Sequence, residues 1–145
     1  MNNLLAQYNN AAEAFVSALG ACHQALTHQN IQALEAARSR YKLEADALEV
    51  ATRDCAPLPR LGIQALLSAQ KGASKGICWH FQSRLKRLAS EVAAIAGDQE
   101  GAQHLEDEAD KLQAQVEALA DSVFSSQDLA ETIGRMMPMG QEVAA

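Results

Sequence analysis

Apolar residues recur at steps of three and four along most of this chain of 145 residues. That spacing lines side chains along one face of an α-helix. The most regular seam lies in a stretch that also holds the only tryptophan, Trp79, and it consists of Cys78, Phe81, Leu85, Leu88, Val92 and Ile95. Because similar seams precede and follow it, we expect this stretch to form the central helix of a bundle.

The first two predicted helices cover residues 3–28 and 31–55. Asn30, between them, is a residue type that caps helix starts. The short connection implies that the two helices are antiparallel neighbours. Pro57 and Pro59 then end the second helix, because proline lacks a backbone donor and disfavours helical geometry in the residue before it.

A last long helix is predicted over residues 98–124. Gly97 is suited to end the central helix, and Asp98 is suited to cap the next one. The seam of this helix is as regular as any in the chain and consists of Ala102, Leu105, Ala109, Leu112, Val116, Leu119 and Val123.

Two shorter breaks are also predicted. The run from Lys71 to Gly76 contains two glycines, which lower helix stability. Ser125 with Asp128 three residues later is a capping pattern, so a separate short helix follows it. The resulting prediction is one all-α domain over 1–137, an antiparallel bundle with long coiled-coil-like helices at 3–28, 31–55, 60–74, 77–96, 98–124 and 126–137, and a mobile tail at 138–145.

The composition supports this fold class and narrows the function. Hydrophobic residues make up 48% of the chain but aromatic residues only 4%, which favours closely packed helices. Three cysteines without a CxxC pair indicate a reducing cytoplasm. No segment approaches 18 consecutive apolar residues, so we expect no membrane helix. A net charge of −6 argues against nucleic-acid binding.

Charge is divided between neighbouring helices. Residues 60–90 contain six basic residues and no acidic one, whereas residues 91–128 contain ten acidic residues and one lysine. In one interpretation, the two helices lie antiparallel and neutralise each other. In the other, an acidic partner binds a basic patch made of Lys71, Lys75, Arg84, Lys86 and Arg87.

The sequence offers little catalytic or metal chemistry. The four histidines are scattered, and no HxxxH or ExxH pair places two ligands on one helix face. No serine–histidine–acid set or carboxylate pair stands out. We therefore expect no enzyme activity, no metal and no cofactor.

Apolar residues near the C-terminal end are candidates for binding another protein. Methionine adapts well to contact surfaces, but it also fills gaps in cores, so this end either docks on the bundle or binds a partner. The partner would contribute a helical segment, and a homodimer is a further possibility. The candidate partner-binding residues are Trp79, Phe124, Leu129, Ile133, Met136 and Met137.

Two resemblances extend this picture. The sequence of the predicted hairpin at 25–34, followed by Lys42 and Leu43, resembles that of the bacterial flagellar export chaperones that escort hook-filament junction proteins. In that family a later helix often carries a Leu/Trp-rich run and an NxxN-like stretch. Trp79 lies in such a run here, whereas Ala96 and Gln99 occupy the places of the two asparagines. The resemblance implies a non-enzymatic, cytoplasmic chaperone or adaptor that binds a partner helix through its C-terminal half.

The second resemblance is local. Lys71-Gly72-Ala73-Ser74, with Ile77 and the later Ala96-Gly97-Asp98, is similar to the signature of histidine phosphotransfer domains. Ser68 occupies the place of the phosphorylated histidine and cannot supply its imidazole nitrogen. This resemblance implies an alternative function, a pseudo-phosphotransfer adaptor that binds a receiver or kinase domain without accepting phosphate.

Overall fold

The computed structural model describes residues 2–137, and those residues form an all-α bundle, as predicted. They contain no strand. The mobile tail predicted at 138–145 lies outside the described residues. The elements are α1 (Asn2–Gln24), α2 (His28–Ala51), a 3₁₀ turn (Thr52–Asp54), α3 (Pro57–Ile95) and α4 (Gln99–Met136).

The predicted boundary signals are mostly correct. Pro57 is the first residue of α3, where its missing donor costs nothing. Gly97 adopts a φ of +89° after α3, and the Asp98 side chain accepts a hydrogen bond from the Gly101 amide at 2.9 Å. The cap predicted for α2 is wrong. Thr27 caps α2, and Asn30 instead donates its side-chain amide to the Ala25 carbonyl at 2.7 Å.

The predicted break between Lys71 and Gly76 is wrong, because α3 continues through it without interruption. The glycines serve close helix packing. A Cβ on Gly72 would lie 2.7 Å from Val123 Cγ2, and one on Gly62 would lie 3.0 Å from Ile133 Cγ2. The packing gained by this close approach outweighs the low helix propensity of glycine.

Small residues recur every seven positions on the face of α3 that meets α4, at Gly62, Ala69, Gly76, Ser83 and Ser90. The Ser83 hydroxyl donates to the Ala109 carbonyl at 3.0 Å, and the Ser90 hydroxyl to the Ala102 carbonyl at 2.7 Å. Later residues of α3 thus meet earlier residues of α4, so the pair is antiparallel. Both buried hydroxyls are satisfied without opening the interface.

The separate short helix predicted after residue 125 is also wrong, because α4 runs unbroken to Met136. The seven-residue repeat of Leu105, Leu112 and Leu119 continues through Ser126 to Ile133, which is buried against Gly62. Continued packing on α3 therefore overrides the local capping pattern.

The hairpin of α1 and α2 packs on the first two-thirds of α3. Its main core cluster consists of Phe15, Cys22, Ile31, Leu34, Cys78 and Phe81, and a second cluster consists of Ala45, Leu48 and Leu67. Tyr8 and Tyr41, whose hydroxyls lie 2.7 Å apart, connect this hairpin to Gln70 of α3.

The central seam is buried in its first part only. Leu88, Val92 and Ile95 are 46%, 66% and 88% exposed. The reason is length: α1 and α2 have 23 and 24 residues, whereas α3 has 39. The hairpin ends beside Leu85, and α3 and α4 extend beyond it.

Candidate functional site

An apolar groove opens between α1, α3 and α4. Its volume is about 440 Å³, and two histidines are its only side chains with polar groups. We call it the central groove. Its floor on α3 consists of Gly72, Ala73, Gly76, Ile77, His80 and Phe81, and its walls consist of Leu19 and His23 on α1 and Val116, Leu119, Ala120, Val123 and Phe124 on α4.

The groove is deep because its floor is built from small residues. Gly72 allows α3 to approach α4 closely, Gly76 has no side chain, and Ala73 between them projects only a methyl group. Leu19 and Leu119 rise from the two neighbouring helices. Since α1 and α4 flank α3 from different sides, an open space remains above the floor.

A second cavity of about 290 Å³ lies between α3 and α4, nearer the start of α3. Pro59 and Leu66 line this cavity, and Ala73 and His80 line the first one. These four residues are seven positions apart and therefore share one helix face. From Pro59 to His80 the rise along α3 is about 30 Å, and we call the two cavities together the extended groove.

Nitrogen-bearing side chains surround one aromatic ring at the end of the central groove. The Phe81 ring is buried, and His23 and His80 meet it edge-on at centroid distances of 5.1 and 5.7 Å. The Arg84 guanidinium lies 5.8 Å from the same ring. Because all three basic side chains are exposed, their polar ends remain free to face a ligand.

The candidate partner-binding residues do not form one surface. Phe124 is 63% exposed on the wall of the central groove, and Ile133 and Met137 line the second cavity. Leu129 and Met136 are exposed but line neither cavity, and Ile133 is largely buried between α3 and α4.

Trp79 is half-buried and is not part of the groove lining. The Lys75 ammonium lies 4.7 Å from the centre of its ring. This cation–π contact holds the tryptophan against its own helix.

The candidate basic patch is divided among several intramolecular contacts. Lys86 lies 2.5 Å from Glu108, and Arg87 pairs with Glu106 and with Asp110. The neutralisation of α3 by α4 that the charge pattern suggested is therefore present at these positions. Lys75 and Arg84 contact aromatic rings instead.

The side chains of Lys71-Gly72-Ala73-Ser74 are divided between α2 and the central groove. Lys71 lies 2.8 Å from Asp46 and 3.3 Å from Glu49 on α2. These contacts raise the pKa of Lys71, and hydrogen bonding to Lys71 lowers that of Asp46. Ser74 is buried and accepts a hydrogen bond from Arg38 at 3.3 Å. Lys71 and Ser74 thus connect α2 to α3, while Ala73 lines the groove.

The three cysteines are free thiols in different surroundings. Cys22 and Cys78 are buried, and Cys55 is partly exposed. Burial raises the pKa of both buried thiols, and that of Cys78 reaches about 11. A thiol that remains protonated at neutral pH is a poor nucleophile, so both residues act here as apolar core groups.

Within residues 2–137, no group of three or more histidine, cysteine, aspartate or glutamate residues could hold a metal ion. His104 lies 2.8 Å from Glu108 on the solvent side of α4. No helix in the described part of the chain has the length and hydropathy required to cross a membrane.

Comparison with known proteins found no match to a family model, a curated protein or a solved structure.

Sequence reasoning named Phe124 but missed the rest of the central groove. The decisive residues are small ones, above all Gly72, Ala73 and Gly76, which were interpreted as a helix break. The available signal was the seven-residue spacing of small residues on α3, which indicates close packing against a second helix.

Proposed function

We propose that this protein is a non-enzymatic binding protein whose extended groove receives an amphipathic helix of another protein. The observation that supports this most strongly is the groove itself, an apolar channel already bordered by three helices. A partner helix that lays its apolar face in such a groove supplies the fourth helix of a local bundle. Phe124 and Val16, both 63% exposed, would then be covered by the partner.

The length of the groove and the charges beside it indicate the length and the charge of the helix that it would bind. A length of about 30 Å accommodates a helix of about 20 residues. Glu117, Asp128 and Glu131 are exposed on the part of α4 beside the groove. The partner helix should therefore carry an apolar stripe with lysine or arginine along the flank that faces α4.

The chaperone interpretation is a finer form of this proposal. It adds that the bound helix belongs to an export substrate that has not yet assembled, and its support is the resemblance of the hairpin sequence. The phosphotransfer-like alternative has less support, because Lys71 is held by Asp46 and Glu49 and is not free for a receiver domain.

Selection from a phage-displayed library of 20-residue helical peptides tests the proposal. We expect enriched peptides to carry apolar residues at i, i+3 or i+4, and i+7, with basic residues on one flank. Their binding should saturate at one peptide per chain. Failure to enrich any helix of this pattern would contradict the proposal.

The matched variants Ala73→Trp and Ala118→Trp then locate the binding surface. Both alanines are exposed on a helix, but only Ala73 lines the groove. Ala73→Trp fills the floor and should weaken binding of a selected peptide about tenfold or more, whereas Ala118→Trp should leave it unchanged. Equal effects of the two substitutions would show that the peptide binds elsewhere.

A further inference from the structure

One end of the central groove carries three nitrogen-bearing side chains, two from α3 and one from α1. His23 and His80 line the groove, and Arg84 follows His80 after one helical turn. Because Ala73, His80 and Arg84 are spaced by seven and four residues, Arg84 continues the line of the groove floor. All three side chains are grouped around the Phe81 ring and are exposed to solvent. A helix bound in the groove would therefore bring one of its ends to these groups.

Arg84 differs from the basic residues that follow it on α3, because it has no acidic partner. Lys86 pairs with Glu108, and Arg87 pairs with Asp110. Within residues 2–137, by contrast, Arg84 makes no ion pair, and neither do the two histidines beside it. In a chain with a net charge of −6, an arginine without a carboxylate at the end of an apolar groove is free to bind one from outside.

Acidic residues lie beside this end of the groove but do not pair with it. Glu117 is exposed on the α4 flank, and Glu91 follows Arg84 by seven residues, a rise of about 10 Å along α3. Glu13 is the only acidic residue of α1 and precedes His23 by ten residues, a rise of about 15 Å. None of the three acidic residues lies within ion-pair distance of Arg84. An incoming carboxylate can therefore pair with Arg84 without displacing an internal partner.

We propose that this end of the central groove is a carboxylate-binding subsite, at which an aspartate or glutamate of the bound helix pairs with Arg84. The guanidinium presents a fork of N–H donors that matches a carboxylate. The imidazoles of His23 and His80 can each donate a further N–H, whether neutral or protonated. This proposal rests on the proposed function, because it specifies the residue that the partner helix places just beyond its apolar stripe.

The subsite would also fix the alignment of the partner helix. Acidic residues on α4 favour lysine or arginine along one flank of that helix, whereas Arg84 disfavours a basic residue at this end and favours an acidic one. A helix whose charges satisfy both conditions fits the groove in one direction only. Reversing it would place its acidic residue at the far end of the groove, away from Arg84.

The peptides selected from the helical library test the subsite through their acidic residues. Aspartate or glutamate should recur about one turn beyond one end of the apolar stripe. Replacing that residue by its amide should weaken binding about three- to fivefold at low ionic strength, and the loss should shrink in about 0.5 M NaCl. Enriched peptides without an acidic residue there, or equal affinities of the acidic and amide peptides, would overturn the subsite. The proposed function would stand in either case, because the peptides still bind.

A double-mutant cycle then assigns the effect to Arg84. Arg84→Gln should weaken binding of the acidic peptide about three- to fivefold and leave that of the amide peptide unchanged. The matched control is Arg40→Gln, because Arg40 is exposed on α2 and lines neither cavity of the extended groove. It removes the same charge and should leave both affinities unchanged. Equal losses for both peptides in Arg84→Gln would overturn the pairing, and absence of binding by both peptides to the wild type would contradict the proposed function and the subsite together.

Discussion

At the scale of single residues, the cysteines show how position changes chemistry. Cys22 and Cys78 lie in the core beneath the hairpin, whereas Cys55 lies in the connection between α2 and α3. The sequence placed Cys78 in the apolar seam of the central helix, and it is buried there. It could not separate Cys55 from the others, because its exposure depends on where the chain leaves α2.

We predict unequal thiol reactivity at pH 8. Cys55 should react rapidly with Ellman's reagent, and Cys22 and Cys78 slowly. Raising the pKa of Cys78 from 9.0 to about 11 lowers its thiolate fraction about a hundredfold, and burial restricts access further. Cys55→Ser should remove the fast phase, and all three thiols should react together in denaturant. Three equal rates in the folded protein would contradict the buried positions.

The raised pKa of Cys78 also has a consequence for stability. The folded state retains a thiol proton that the unfolded state loses first. The free energy of unfolding should therefore fall as the pH rises from about 9 toward about 11.

At the scale of elements, α3 shows where local preference and packing disagree. Its apolar periodicity predicted a helix correctly, and its glycines predicted a break that does not exist. Gly72 and Gly76 are only four residues apart, yet they differ in what surrounds them. A Cβ on Gly72 would collide with Val123, whereas one on Gly76 would lie at 3.7 Å from Leu119, an ordinary contact distance.

These two glycines form a matched pair for mutation. Gly76→Ala should raise the free energy of unfolding by about 0.5–1 kcal/mol, because alanine favours the helix. Gly72→Ala should lower it by about 1–3 kcal/mol, because Val123 is stiff about its first side-chain bond and cannot move away cheaply. Urea unfolding of the two variants measures both effects, and a stabilised Gly72→Ala would contradict the close approach of α3 and α4.

At the scale of the whole molecule, the hairpin leaves two apolar surfaces open. It is too short to cover α3 completely, which leaves Leu88, Val92 and Ile95 exposed. The hairpin also leaves the space between α1 and α4 open, which forms the central groove. Sequence periodicity predicted the fold class and the turn between α3 and α4, since these depend on local spacing and caps. It could not predict the groove, which depends on how far apart α1 and α4 lie across α3.

Chemical-shift mapping with a selected helical peptide tests the central claim most directly. On addition of the peptide to methyl-labelled protein, we predict that resonances of Ile77, Leu119 and Val123 shift. The resonances of Leu88, Val92 and Ile95 should stay in place. The claim is contradicted if the groove methyl groups are unaffected and the shifts fall on Leu88, Val92 and Ile95.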